Sequence, residues 1–180
     1  MTLHPDTSSH TAMPQPPGHD PIGDELFREP GTTGLEHVNV RRLEPRDLEA
    51  VLAIDARHSG RSRRGYYERK FAEATRESGV TISLAADLDG RLAGFLIGRL
   101  YYGEFGVPEP VAIVDSIGVD IDQGHRHVGS ALFAQLETNL RALRVGSVRT
   151  EVPWSDFGLL GFLKQRGFAP VPVLTLEKRL

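Results

Sequence analysis

Apolar residues recur along this chain with two periods, and the changes of period mark out the elements. His37–Arg42 alternates as a first strand. Pro45 suits the first position of a helix, which Leu48, Val51 and Leu52 continue at helical spacing to about Arg57. Tyr67, Phe71 and Ala74 share one face of a second helix over Arg64–Glu77. Thr81–Ala86 and Leu92–Tyr101 flank Asp89–Gly90, a two-residue turn signal, and predict a hairpin. Val111–Val119 is a fourth strand. Val128, Leu132, Leu136, Leu140 and Leu143 then form the stripe of a long amphipathic helix, with Gln135, Thr138, Arg141 and Arg144 outward. Ser147–Val152 predicts a fifth strand, Gly158–Arg166 a short helix and Val173–Lys178 a last strand.

Strand, loop, helix and strand from Val111 to Val152 make a βαβ unit, whose strands run parallel through a right-handed crossover. A hairpin precedes it and an antiparallel tail follows it. The fold class is therefore α/β of the α+β kind, with a mixed, mostly antiparallel central sheet, one parallel strand pair and helices on both faces. Regular alternation of a doubly wound nucleotide fold is missing.

Composition narrows this only in places. The chain has 180 residues, enough for one ordinary domain with a real core. Residues 1–35 carry Arg28 against Asp6, Asp20, Asp24, Glu25 and Glu29, together with half of the twelve prolines. Such a stretch buries too little apolar surface to offset its ordering entropy. It reads as a flexible or draped tail, and 36–180 as the domain; a tail that covers a site is the functional alternative. Zero Cys excludes disulfides, thiolate metal sites and a Cys nucleophile. No run approaches the ~18 apolar residues that span a bilayer, so no membrane partner is expected. The N-terminus lacks the order of a secretory signal, which leaves the cytoplasm as the expected compartment.

The loop before the long helix, DIDQGHRHVGS over 120–130, is where chemistry concentrates. A loop that delivers backbone N–H groups at a helix start is a ready anion site. Gly124 and Gly129 have the four-residue gap of a P-loop, but Ser130 follows directly and the Lys is missing. The dinucleotide fingerprint G-x-G-x-x-G is absent. His125 and His127 form an H-x-H pair with no third ligand nearby, so no metal is expected.

The strand end Ile117–Gly118–Val119, the loop Gly124-His125-Arg126-His127-Val128-Gly129 and the following Ser130-Ala131-Leu132 resemble the signature of the GNAT superfamily of acetyl-coenzyme A-dependent N-acetyltransferases. The later segment GLLGFLKQRGFAPV, with Arg166-Gly167-Phe168, resembles that family's usual helix end. The resemblance covers about 36–180. His127 stands where the family usually has its first Gly, and Gly124 where it has Gln or Arg. Backbone N–H groups hold the pyrophosphate in this family, so Gly124, His125, Arg126, His127, Val128, Gly129 and Ser130 are the implied cofactor loop. The resemblance also implies that acetyl-coenzyme A, as co-substrate, lies where the parallel strands splay, with pantetheine on the backbone near Ile117, Gly118 and Val119. A neutral amine of a small molecule, peptide or protein would attack the thioester directly.

The family often protonates the departing thiolate with a Tyr four residues before the Gly-Phe; here that position is Leu163. Tyr101, Tyr102 and Ser155 are the substitutes the chain offers. For the base, Asp115 interrupts an apolar strand, sharing by period two a face with Ile113, Ile117 and Val119. It is either functional or held by a structural hydrogen bond. Glu104 sits in the loop 102–106 on the expected acceptor side. The catalytic set is thus Asp115, Glu104 and Tyr102.

Arg57–Lys70 has six basic residues against Glu68. Arg61, Arg63 and Arg64, beside Tyr67, would bind an anionic acceptor or the 3′-phosphate of coenzyme A; otherwise they form a solvated face. The domain as a whole is near neutral and no second basic stripe extends the patch, which argues against nucleic acid. Edge strands of a mixed sheet offer unpaired backbone groups, so a homodimer is an available assembly. Two functions follow: an N-acetyltransferase acting on a primary amine, or an acyl-coenzyme A-binding module with little or no transfer, used as a sensor or interaction domain.

Overall fold

A computed structural model describes residues 38–76, 82–102, 108–173 and 175–179. The N-terminal tail and Glu104 lie outside them. Asp89 and Gly90 both take positive φ (52° and 76°), the conformation a tight hairpin turn requires. They join β2 (Leu84–Leu88) to β3 (Arg91–Tyr101), the long middle strand of the sheet. β1 (Val38–Arg42) pairs with β2, and β4 (Val111–Val119) with β3, all antiparallel. β5 (Ser147–Thr150) pairs with β4 in parallel, giving the order β1-β2-β3-β4-β5. The mixed sheet with its one parallel pair is the expected one.

Helices cover both faces. α1 (Leu48–Ser59) follows a 3-10 turn at Pro45–Asp47 and ends at Gly60 in the left-handed region. α2 (Arg64–Arg76) packs beside it. These two bury Val51, Ile54, Tyr67 and Phe71 against Ala85, Phe95 and Ile97. The opposite face carries α3 (Val128–Ala142) and α4 (Phe157–Gln165). There Leu132, Phe133, Leu136 and Leu140 pack on Leu84, Ala86, Leu96, Ala112 and Val114. Among the described residues no helix is long and apolar enough to cross a membrane.

Three sequence expectations change. The fifth strand stops at Thr150, two residues short of Val152. Val173–Lys178 forms no strand among its described residues. Val171, Val173 and Leu176 are exposed, and Pro170 and Pro172 bring no N–H to a ladder. β propensity without a paired edge leaves an extended segment and no strand.

The third change is in β4. Ile97 pairs with Ser116 but Gly98 with Val114, so Asp115 is an extra residue, a β-bulge. Ala112 and Val114 face α3 before it, and Ile117 and Val119 face α3 after it. The expectation that Asp115 shares a face with Ile117 and Val119 is therefore wrong. Period-two counting fails across one inserted residue. Asp115 and Ser116 both meet α2 instead, through Lys70 and Tyr66.

Candidate functional site

The loop between β4 and α3 is built on unusual backbone. His125 and His127 take φ of 65° and 58°, the left-handed region that non-glycine residues seldom enter. His127 is the residue before α3, and its side chain makes no capping bond. The first helical carbonyl to be used is that of His127, which accepts from Ala131 N–H. The N–H groups of Val128, Gly129 and Ser130 thus have no acceptor within their own helix. A fifteen-residue helix adds its positive dipole end at the same spot. Together these features bring three N–H groups without a helical acceptor and a helix dipole to the start of α3.

Glycine makes the approach possible at two sites. A Cβ on Gly94 of β3 would lie 2.7 Å from Val128 Cγ1 and 3.1 Å from the Gly118 carbonyl oxygen. A Cβ on Gly129 would lie 3.2 Å from the ring of Phe162. Arg166 stacks over that ring and donates to Ser130 Oγ, so a cation stands beside the first turn of α3. Arg126 reaches Asp89 at 3.2 Å. Sequence spacing located the loop, but Arg166 was legible only as part of the motif around Gly167.

β4 leaves β5 after Val114 and runs on without it to Val119 before the loop. The last parallel pair is Val114 with Thr150, whose hydroxyl donates to the Val114 carbonyl at 3.0 Å. Beyond it, Asp120 N–H donates to Ala93 on β3, and alternation then points the backbone groups of Ile117 and Val119 away from β3. This open edge is where a pantetheine arm can add hydrogen bonds. His58, at the end of α1, already contacts the Val119 carbonyl at 2.6 Å. Next to it Arg57 binds Asp120 at 2.6 Å and Asp122 at 2.9 Å. The end of α1 is thereby latched to the start of the loop.

On the α2 side of the sheet, Asp115 bonds through both oxygens to Arg99 and through Oδ2 to Lys70 at 3.2 Å. Its partners are thus two cations, so a structural hydrogen bond, one of the two readings of Asp115, is present and is made to charged side chains. Burial alone would lower the Lys70 ammonium, but its bonds to Asp115 and Glu73 hold it above the ordinary lysine range. A cavity of about 400 Å³ opens here between α2, β3 and β4. Tyr101 lies on it, with Arg99 over its ring.

The basic segment resolves into pairs. Arg63 binds buried Asp55, which also accepts from Tyr67 Oη at 2.9 Å. Burial pushes Asp55 up, but the bonds from Arg63 and Tyr67 outweigh it and hold the carboxyl below its usual range. Tyr67 is only 1% exposed, too enclosed to touch an acceptor. Arg64 is taken by Glu49 and Glu68. Arg61 is exposed and its guanidinium has no partner among the described residues. Three of the four positions expected to hold an anion therefore stitch α1 to α2.

The expected acids are dispersed. Leu163 is buried in the core under α4, and Tyr102 and Ser155 are exposed. One carboxylate was missed. Glu151 follows Thr150 where the strands part, exposed and with no ion pair among the described residues. Val148 and Val152 pack toward α3, so alternation puts Glu151 on the other face, the face Asp115 meets. No motif surrounds it in the sequence. Among the described residues no three His, Asp or Glu converge as a metal site.

A model of the acetyltransferase (GNAT) family matches residues 46–168. Among solved structures, the chain is similar to an aminoglycoside N-acetyltransferase in complex with coenzyme A (TM-score 0.66, 15% identity, 79% of this chain and 95% of that one). It is also similar to the ribosomal-protein-alanine N-acetyltransferase of Brucella melitensis biovar Abortus 2308 (TM-score 0.64, 20% identity, 79% and 99%). A transcriptional regulator from Bacillus halodurans C-125 is similar too (TM-score 0.63, 18% identity, 80% and 100%). No curated protein matches. At these identities the likeness is one of fold.

Proposed function

The chain belongs to the GNAT acetyltransferase family, and on that premise we propose that it moves an acetyl group from acetyl-coenzyme A to a primary amine by direct attack. The observation that carries this reading is the open β4 edge leading straight into the unfilled N–H groups of α3. The residues fit the co-substrate: Val128, Gly129 and Ser130 face its pyrophosphate with Arg126 and Arg166 adding charge, and Ile117 and Val119 meet its pantetheine. Opening that second edge fully requires His58 to yield the Val119 carbonyl.

The amine nitrogen attacks the thioester carbonyl carbon. A C–N bond forms, the C–S bond breaks and sulfur leaves as thiolate. A thiol pKa of about 8.5 makes that leaving group tolerable without a dedicated acid, which suits an aliphatic Leu163. The nitrogen loses two protons. Glu151 takes the first, before attack, because it has no cation to hold it, unlike Asp115. The second ends on the departing sulfur. Asp115 is a positioning residue for Arg99 and Lys70. The reaction proceeds in the compartment where acetyl-coenzyme A is made available, the cytoplasm.

Thermal denaturation with and without acetyl-coenzyme A, followed by thiol release over an amine panel, tests this. Stabilisation with release is expected. Stabilisation without release on any amine would leave the binding-module function. Glu151→Gln is expected to lower kcat about 10²-fold at neutral pH, the low end for one general base. The deficit should shrink as pH rises toward the amine's own pKa; an unchanged kcat would remove Glu151 from the chemistry.

A further inference from the structure

Lys70 and Arg99 share a partly buried carboxylate, Asp115, at the cavity between α2, β3 and β4. Their side chains are 16%, 34% and 13% exposed, so the trio holds one excess positive charge in a recess. Glu73, 60% exposed at the rim, offsets that charge through its 3.2 Å contact with Lys70, so the unused donors of the cluster are chiefly those of Arg99. Arg99 engages Asp115 through Nη1 alone, so its planar fork keeps donors for a second carboxylate. The ammonium of Lys70 has three donors and is seen with two carboxylates. A volume of about 400 Å³ is that of a small-molecule pocket.

We propose that this cavity receives the carboxylate of the acceptor between Arg99 and Lys70. It rests on the transfer reading above, and it names the acceptor class: a small amine that also carries a carboxylate. The two ends must lie apart. Asp115 is the bulged residue, so it stands between one and two strand steps from Ile117, on the open edge where acetyl would arrive, a span of roughly 5 Å. That separation matches an ω-amino acid better than an α-amino acid. Of the arginines first expected to bind an anion, Arg63 and Arg64 are already paired with Asp55 and Glu49 and Arg61 stands exposed to solvent, which leaves this recess as the enclosed place with donors to spare.

The closing experiment compares ε-aminocaproate with its uncharged amide by thiol release at saturating acetyl-coenzyme A. The carboxylate is expected to have at least tenfold higher kcat/KM, mainly through KM. Lys70→Gln keeps the Arg99–Asp115 pair and hence the fold, and should reduce that ratio several-fold; Arg99→Gln should bring it near one. Equal kcat/KM for the two acceptors, or a ratio unaffected by either substitution, overturns the proposal. Should no amine release thiol, the transfer reading fails, and the pocket is then tested alone with N-acetyl-ε-aminocaproate. Saturable binding that Lys70→Gln weakens supports the carboxylate site, and absence of binding overturns it.

Discussion

The loop before α3 and the ionic face beneath α2 present polar groups in opposite ways. In the loop the working groups are backbone N–H groups, aimed by two left-handed residues and by glycines that let strand and helix close up. Side-chain identity there matters little so long as the backbone holds its path. Beneath α2 the working groups are side chains, Asp55 with Arg63 and Tyr67, and Asp115 with Arg99 and Lys70. There the backbone is ordinary apart from one bulge, and identity is everything. A site of the first kind is tolerant of sequence and intolerant of shape; a site of the second kind is the reverse.

Gly94→Ala should break the comparison most visibly. The new methyl meets Val128 at the start of α3 and the Gly118 backbone, and neither can retreat freely. Overpacking of this kind costs about 1–3 kcal/mol. Acetyl-coenzyme A affinity should fall far more than stability, because the helix start that carries the N–H groups is what moves. Calorimetric titration beside thermal denaturation reads both; equal losses would mean the loop is no more shape-dependent than the rest.

Asp55→Asn should be next in size and should leave the loop alone. The Asp55 carboxyl is held below its unfolded value, so its contribution is complete above the unfolded pKa of about 3.9 and is lost as pH falls through the folded one. The wild-type denaturation midpoint should therefore drop more steeply below about pH 4 than that of the variant. At neutral pH the variant should be about 2 kcal/mol less stable, discounted from the buried-pair range because Arg63 is partly exposed. Parallel acid profiles would show that the pair does not stabilise the junction of α1 and α2.

The smallest effect is expected at His127→Gly. A left-handed residue other than glycine costs about 1–2 kcal/mol, and glycine gives back about 0.5–1 through unfolded-chain entropy. The variant should gain up to about 1 kcal/mol in denaturant unfolding, with cofactor affinity changed less than about threefold. A large loss of affinity would show that the His127 side chain itself touches the anion, and would blur the line between the two regions.

The same contrast explains what could be read from the chain in advance. Hydrophobic periods placed the hairpin at Asp89–Gly90, the stripe of α3 and the parallel pair, because each is a local pattern. The loop between β4 and α3 was legible as an element because helix start, strand end and glycine spacing all fall within about a dozen residues. The ion pairs were not legible. Asp115 meets Lys70 from 45 residues away and Arg63 turns back to Asp55, so a run of arginines looked free when it was not. The bulge left no clear mark either, since Asp115 and Ser116 in VAIVDSIGV read equally well as one polar break in an unbroken alternation. Val173–Lys178 has a strand's composition, and composition alone does not supply an edge to join.

The extra residue in β4 gives that strand a reading frame. Before Asp115, even-numbered side chains address α3; after Ser116, odd-numbered ones do. Loss of one residue at this point would leave every later side chain chemically intact yet address it to the wrong helix, with Ile117 and Val119 turned toward α2 and Gly118 toward the apolar core. Exchanges along β4 are thus forgiven one at a time, whereas a miscount is not, and length rather than identity is what this strand has to inherit without error.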